Sequence, residues 1–275
     1  MKVLLKIKLF LFFCIFIFCP FLSAAEEEGA MSYLAAGIGM EQLTYREQIP
    51  DLDLTSSDTD LTNWTLYLEG QKGWQNFFVG AKWYIPISTD EAREYWTREG
   101  SFEQTNSLTY RWTRIDIHGG YFLHKLLNPY VGISWGYSEQ ERSNFDNVNN
   151  PGIISETATE EVSSFSAMFG IQGSILFTAA WSFSYFAEYL LPFYSNTTNT
   201  GLPGWEASGI DGYSYAVSGR LGYDFTETVS LALQITGGRQ HWEGSDWIPV
   251  GDSRAKWPEN DTDFIGGFIN IYKQF

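Results

Sequence analysis

The chain has 275 residues, with 17 Lys and Arg against 33 Asp and Glu, a formal charge of −16. That balance excludes a basic nucleic-acid-binding surface. Aromatic residues make up 17%, including 11 Trp, yet beyond Phe21 no apolar run reaches the roughly 18 residues of a membrane helix, which excludes a helical membrane bundle.

The amino terminus reads as an export signal. Lys2, Lys6 and Lys8 are followed by an apolar run to Phe21, and Ser23, Ala24 and Ala25 supply the small residues of a cleavage site before Glu26. This divides the chain into a signal peptide, residues 1–25, and a mature domain, residues 26–275. Both cysteines, Cys14 and Cys19, fall in the signal, and Phe18 before Cys19 is too bulky for lipoprotein processing. The mature chain therefore has no disulfide. Without the three signal lysines, 14 basic residues face 33 acidic ones, a charge of −19.

A two-residue period runs through the mature chain. Trp64, Leu66 and Leu68 alternate with Thr65, Tyr67 and Glu69; Phe77, Val79, Ala81, Trp83, Ile85 and Ile87 then alternate with Phe78, Gly80, Lys82 and Tyr84. The pattern returns at Ile115 and Ile117, at Val131, Ile133, Trp135 and Tyr137, and at Phe165, Ala167, Phe169 and Ile171. It continues at Trp181, Phe183, Tyr185 and Tyr189, and at Tyr213, Tyr215, Val217 and Leu221. Each such segment predicts a strand with one apolar face. High aromatic content with a mean hydropathy of −0.19 fits strands that show alternate residues to lipid.

The connections alternate between long polar segments and short turns. Long ones cover residues 45–61, 88–107, 143–159, 195–210 and 244–261; short ones lie near residues 71–74, 124–129, 178–180 and 225–228. The fold class predicted is all-β, a transmembrane up-and-down antiparallel barrel of about ten strands with long outer loops and short periplasmic turns. Closure requires the last strand, which ends in "FIGGFINIYKQF", to pair with the first near residues 32–45, because an open edge in lipid strands its backbone donors and acceptors. Ile269, Ile271 and Phe275 on one face resemble the carboxy-terminal assembly signal of Gram-negative outer-membrane barrel proteins, with Lys273 where an aromatic is often found. The resemblance implies residence in the outer membrane, contact with its lipid and lipopolysaccharide, and recognition by the barrel assembly machinery.

If the apolar positions face lipid, the opposite face sends Glu69, Lys82, Arg114 and Asp116 into the lumen, together with His118, Glu188, Arg220 and Asp224. Charges of both signs in a narrow barrel are expected to pair, Glu69 with Lys82 and Glu188 with Arg220 on neighbouring strands, and to close the interior or leave a restricted path. "RIDIH" places Asp116 and His118 on one face, a pair suited to general-base chemistry, but no nucleophile accompanies it. No catalytic residue, metal ligand or cofactor site is assigned.

The stretch "VGISWGYSEQERSNFD", residues 131–146, is similar to the strand that leads into the third outer loop of the omptin family, outer-membrane proteases built on ten-stranded barrels. Omptins place an Asp-x-His pair in the fourth outer loop and two aspartates in the second. Here "SNTTNTGLPGWEASGID" has no histidine, and the second loop has Asp90 without an Asp-x-Asp, so the resemblance carries over no catalytic residue. The outer loops are acidic, with Asp51, Asp53, Asp58 and Asp60 in the first, and Asp246, Asp252, Glu259, Asp261 and Asp263 beside Trp242, Trp247 and Trp257 in the fifth. Their spacing does not match a calcium loop. The expectation is a solvated acidic surface on a non-enzymatic barrel, a small pore or a surface-interaction protein, with an omptin-like hydrolase as the alternative.

Overall fold

The computed structural model describes residues 32–147, 150–154 and 156–275; the expected signal segment lies outside the described residues. Ten long strands form one ring. They are β1 (Tyr33–Ile49), β2 (Thr59–Trp74), β3 (Phe77–Thr89), β4 (Ser101–Tyr121), β5 (Asn128–Asn147), β6 (Ala158–Leu176), β7 (Trp181–Asn199), β8 (Gly212–Asp224), β9 (Val229–Trp242) and β10 (Glu259–Gln274). Each pairs antiparallel with its sequence neighbours, and β10 returns to β1 in a register running from Tyr33 opposite Gln274 to Gln48 opposite Glu259. The Phe275 amide donates to the Ser32 carbonyl at 3.0 Å, so the last residue is tied to the first strand. The predicted closure and strand number are those found.

The alternation predicted from sequence divides outside from inside. Ile38, Ile117, Val131, Ile133, Val217, Leu233 and Ile269 are exposed on the outer wall, while Tyr67, Lys82, Asp116 and Glu188 are buried within. Trp64 and Trp74, ten positions apart on β2, both face outward. At about 3.4 Å per residue and a tilt of about 40°, they mark an apolar band about 25 Å tall, the thickness expected of a barrel's lipid-facing belt. Other exposed aromatics occupy the two rims: Phe77, Trp181 and Phe225 at the short-turn end, and Phe165, Phe193 and Tyr194 toward the loops.

The second outer connection departs from the expected loop over residues 88–107. A strand, Glu91–Arg98, pairs with the start of β4 from Glu91 opposite Thr109 to Arg98 opposite Ser101, making a hairpin that extends the wall. Its inward residues include Glu94 as well as Trp96, so its alternation is not one of apolar against polar and escaped that rule. A second small hairpin, Ile248–Val250 with Ser253–Ala255, stands in the fifth connection. Glu259, Asp261 and Asp263, assigned from sequence to that loop, belong to β10.

The interior is packed from the middle upward. Phe78, Tyr130, Met168 and Leu190 form one cluster, and Leu43, Tyr45, Leu61, Leu108 and Tyr110 another nearer the loops. Above them, Trp205, Ala207 and Ile210 from the fourth connection meet Trp242, Trp257 and Val162. Trp257 is 1% exposed, so these tryptophans act as a core that holds the fourth and fifth connections over the mouth.

Candidate functional site

The lumen brings together six of the eight charged or ionisable residues picked from the inward phase. Lys82 on β3 donates to Glu188 on β7 at 2.9 Å, and Tyr130 on β5 donates to the same carboxylate at 3.2 Å. Arg114 on β4 also binds Glu188 and makes an ion pair of 3.0 Å with Asp116. Closer to the short turns, Arg220 on β8 donates to Glu69 on β2 at 2.7 Å, and Tyr33 donates to the other oxygen of Glu69 at 2.9 Å. Three acids thus meet three bases, and the group carries no net charge.

The partners differ from those expected. Glu69 and Lys82 do stand opposite each other in register, but each reaches across the lumen to another strand. Arg220 stands opposite Ser184, four residues closer to the short turns than Glu188. The physical reason is the width of the barrel. Side chains of adjacent inward positions point the same way, whereas the opposite wall of a ten-stranded barrel lies within reach of long ones.

Gly170 is part of this geometry. It stands opposite Tyr130 on one side and Glu188 on the other, and a Cβ there would collide with the Tyr130 ring. The missing side chain lets the tyrosine cross β6 to reach the carboxylate. Lys82 is further held over the Phe186 ring, 3.7 Å from its centroid.

Asp116 and His118 are both buried in the lumen, yet they do not form a catalytic dyad. Asp116 is held by the Arg114 guanidinium and stands opposite Ser134 on β5. The His118 ring lies against Tyr130 with centroids 4.9 Å apart, and its Nδ1 has no hydrogen-bond partner. Asp224 lines the opening at the short-turn end, away from the paired group. Ile269 and Ile271 face outward on β10, as does Phe275 beyond its end.

A second charged cluster lies beyond the loop-side rim and was not anticipated. Arg142 makes ion pairs with Glu47 at 2.9 Å and Glu94 at 2.8 Å. Glu160 accepts from the Trp257 indole at 2.7 Å, and Tyr45 donates to Glu47 and, at 3.1 Å, to Gln140. Burial pushes Glu47 up from its ordinary value to about 7 against the pull of Arg142. Burial raises Glu160 as well; at Glu94 burial is outweighed by the Arg142 guanidinium, which holds that carboxyl low. Among the described residues no three acidic, His or Cys side chains converge closely enough to hold a metal ion. Glu47 and Glu94 stood in stretches read as connections, 45–61 and 88–107, although Glu47 continues the inward phase of Leu43 and Tyr45; Glu160 lies one residue past the connection read over 143–159.

The outer membrane protease OmpT from Escherichia coli superposes on 93% of this chain and 100% of its own, with a TM-score of 0.61 at 10% identity. The fold is that of an outer-membrane β-barrel. The translocator domain of the autotransporter NalP from Neisseria meningitidis matches this barrel over 100% of this chain and 98% of its own, at 8% identity and a TM-score of 0.39. The attachment invasion locus protein Ail of Yersinia pestis matches over 89% and 99%, at 7% identity and a TM-score of 0.30. No protein-family model and no curated protein matches the chain.

A His–Asp contact does exist near the loop end of the barrel. His241 Nδ1 lies 3.0 Å from Asp261, but both sit on outward-facing positions of β9 and β10, beside Arg46 and the Tyr213 ring. They do not border the charged cluster inside the mouth. Several acids read as solvated are likewise partnered: Asp263 by Arg239 at 2.7 Å, and Asp51 by Lys256 at 3.0 Å, which ties the first connection to the fifth.

Proposed function

We propose that this chain is a non-enzymatic bacterial outer-membrane barrel with a closed lumen, whose long outer connections form a surface for interaction outside the cell. Residues 1–25 are its signal peptide and residues 26–275 its barrel domain. The short turns then face the periplasm, and the carboxy-terminal Ile269, Ile271 and Phe275 serve the assembly machinery. The observation that carries the reading is the outward apolar band, rimmed by aromatics, on a ring with no free edge. Such a wall needs lipid around it. Closure of the lumen is supported by the paired charges of Glu69, Lys82, Arg114, Asp116, Glu188 and Arg220, stacked beneath an aromatic layer. Asp224 and His118 belong to the lumen wall without joining the ion pairs.

Expression of the full chain in a Gram-negative host tests the membrane assignment. The protein should fractionate with the outer membrane and migrate faster on gels before heating than after, and loss of Phe275 should lower the assembled fraction. Recovery as a soluble, monodisperse protein without detergent would contradict the assignment. Peptidase assays address the hydrolase reading: cleavage by the parent and none by His118→Gln would replace the non-enzymatic assignment.

A further inference from the structure

The lumen is not filled to the same degree along its length. Below the Glu69–Arg220 pair, inward positions fall to small residues, Ser174 on β6, Ser184 on β7, Gly222 on β8 and Ser230 and Ala232 on β9, and a cavity of about 430 Å³ opens toward the short turns. That volume lies in the range of about 300 to 1,000 Å³ typical of small-molecule sites. A ten-stranded interior lined by such side chains cannot close on itself, whereas the same barrel a layer higher is filled by Tyr67, Tyr84 and Phe268.

We propose that this cavity binds a small, neutral, polyhydroxylated molecule of monosaccharide to disaccharide size. Its polar wall consists of serine hydroxyls and planar amides. Gln172 donates to Gln71 at 2.9 Å, fixing both amides across the lumen. Asn128 is 8% exposed and lines the cavity, so its amide adds a third planar polar group to the wall beside the serines. Phe122 and Phe186 supply apolar ring surface for the C–H faces of a sugar, and Tyr272 stands on the other side beneath the Arg220 guanidinium, 4.6 Å from its ring centroid.

Charge decides against other ligand classes. Arg220 is the cation of the lining and is already matched by Glu69, while Asp224 makes no ion pair among the described residues. A phosphorylated or carboxylated ligand would meet a net negative wall. A purely apolar ligand would leave Asn128 and the serines unsatisfied on a dry surface.

The proposal rests on the barrel reading only for the compartment, the periplasm, to which the cavity opens. It is tested on the full chain purified in an amine-oxide detergent, since glycoside detergents present the same chemistry as the ligand. Maltose and N-acetylglucosamine serve as probes in saturation-transfer NMR, with glucose 6-phosphate as the charged comparison. Saturable signals are expected for at least one neutral sugar, weakened by about tenfold or more in Asn128→Ala and abolished in Ser184→Trp, which fills the space. Heat-modifiable migration should be unchanged in both variants. No saturable signal from either neutral sugar would overturn the proposal, as would binding that survives both substitutions or tighter binding of glucose 6-phosphate. Sugar binding by a protein that fails to reach the outer membrane would sink the membrane assignment and leave this inference standing.

Discussion

Glu188 holds two cations in the barrel interior, Lys82 and Arg114, and its own solvation has been replaced by those contacts and the Tyr130 hydroxyl. Removing that one carboxylate strands both cations, so Glu188→Gln should destabilise the barrel by about 3 to 5 kcal/mol in urea titrations of the refolded protein. Replacing the pair together, Lys82→Met with Glu188→Leu, should recover most of the loss, because Arg114 keeps Asp116. Equal damage from the single and double variants would mean that packing rather than charge is at stake. Glu47, outside the lipid band, behaves differently. Its carboxyl is raised to about 7, so the folded state binds the proton more tightly than the unfolded chain. The stability this contributes is present below the unfolded value and is lost as pH rises through about 7. Glu160 shifts in the same direction. Thermal midpoints of the detergent-solubilised protein should therefore fall between about pH 5 and 8, and Glu47→Gln should flatten that slope. A midpoint that rises over the same interval in the parent would show that Glu47 is not held protonated.

Strand identity was legible because lipid imposes an apolar residue at every second position, and Ile115, Ile117, Val131 and Ile133 obey it over the whole band. Strand extensions beyond the band were not legible. Glu91–Arg98 meets water on one side and the Glu94–Arg142 contact on the other, and nothing there requires hydrophobic alternation. The partners of lumen charges were hidden for another reason: sequence gives the face of Glu69 and Lys82, but cross-lumen reach depends on where Arg220 and Glu188 fall in the register. The facing of β4 can be tested directly. Ile117 is 44% exposed on the outer wall and His118 is buried, so Ile117→Arg should cost about 2 to 4 kcal/mol near the bilayer midplane. His118→Gln should still assemble, since the imidazole Nδ1 has no partner to lose. Loss of assembly in His118→Gln with retention in Ile117→Arg would reverse the facing.

At the scale of the whole molecule, the two ends of the barrel differ. At the loop end Trp205, Trp242 and Trp257 pack above the Leu43 and Tyr110 layer, with a cleft of about 190 Å³ between Trp257, Glu47 and Arg142, and the other end opens into a cavity lined by Glu69 and Arg220. Between them the six paired charges cancel, Glu41 on β1 adds a buried carboxyl that accepts from Thr65, and pairing holds the long side chains across the path. Sequence composition suggested the fold and the mixed lumen, but not the tryptophan lid, because Trp205 and Trp257 lie in connections whose polarity reads as solvated. A closed lumen passes no ions, and conductance measures that directly. In planar lipid bilayers the refolded protein should give no steady current, or at most small cation-favouring steps in keeping with its acidic loops. Large, long-lived, porin-like steps would contradict the closed lumen.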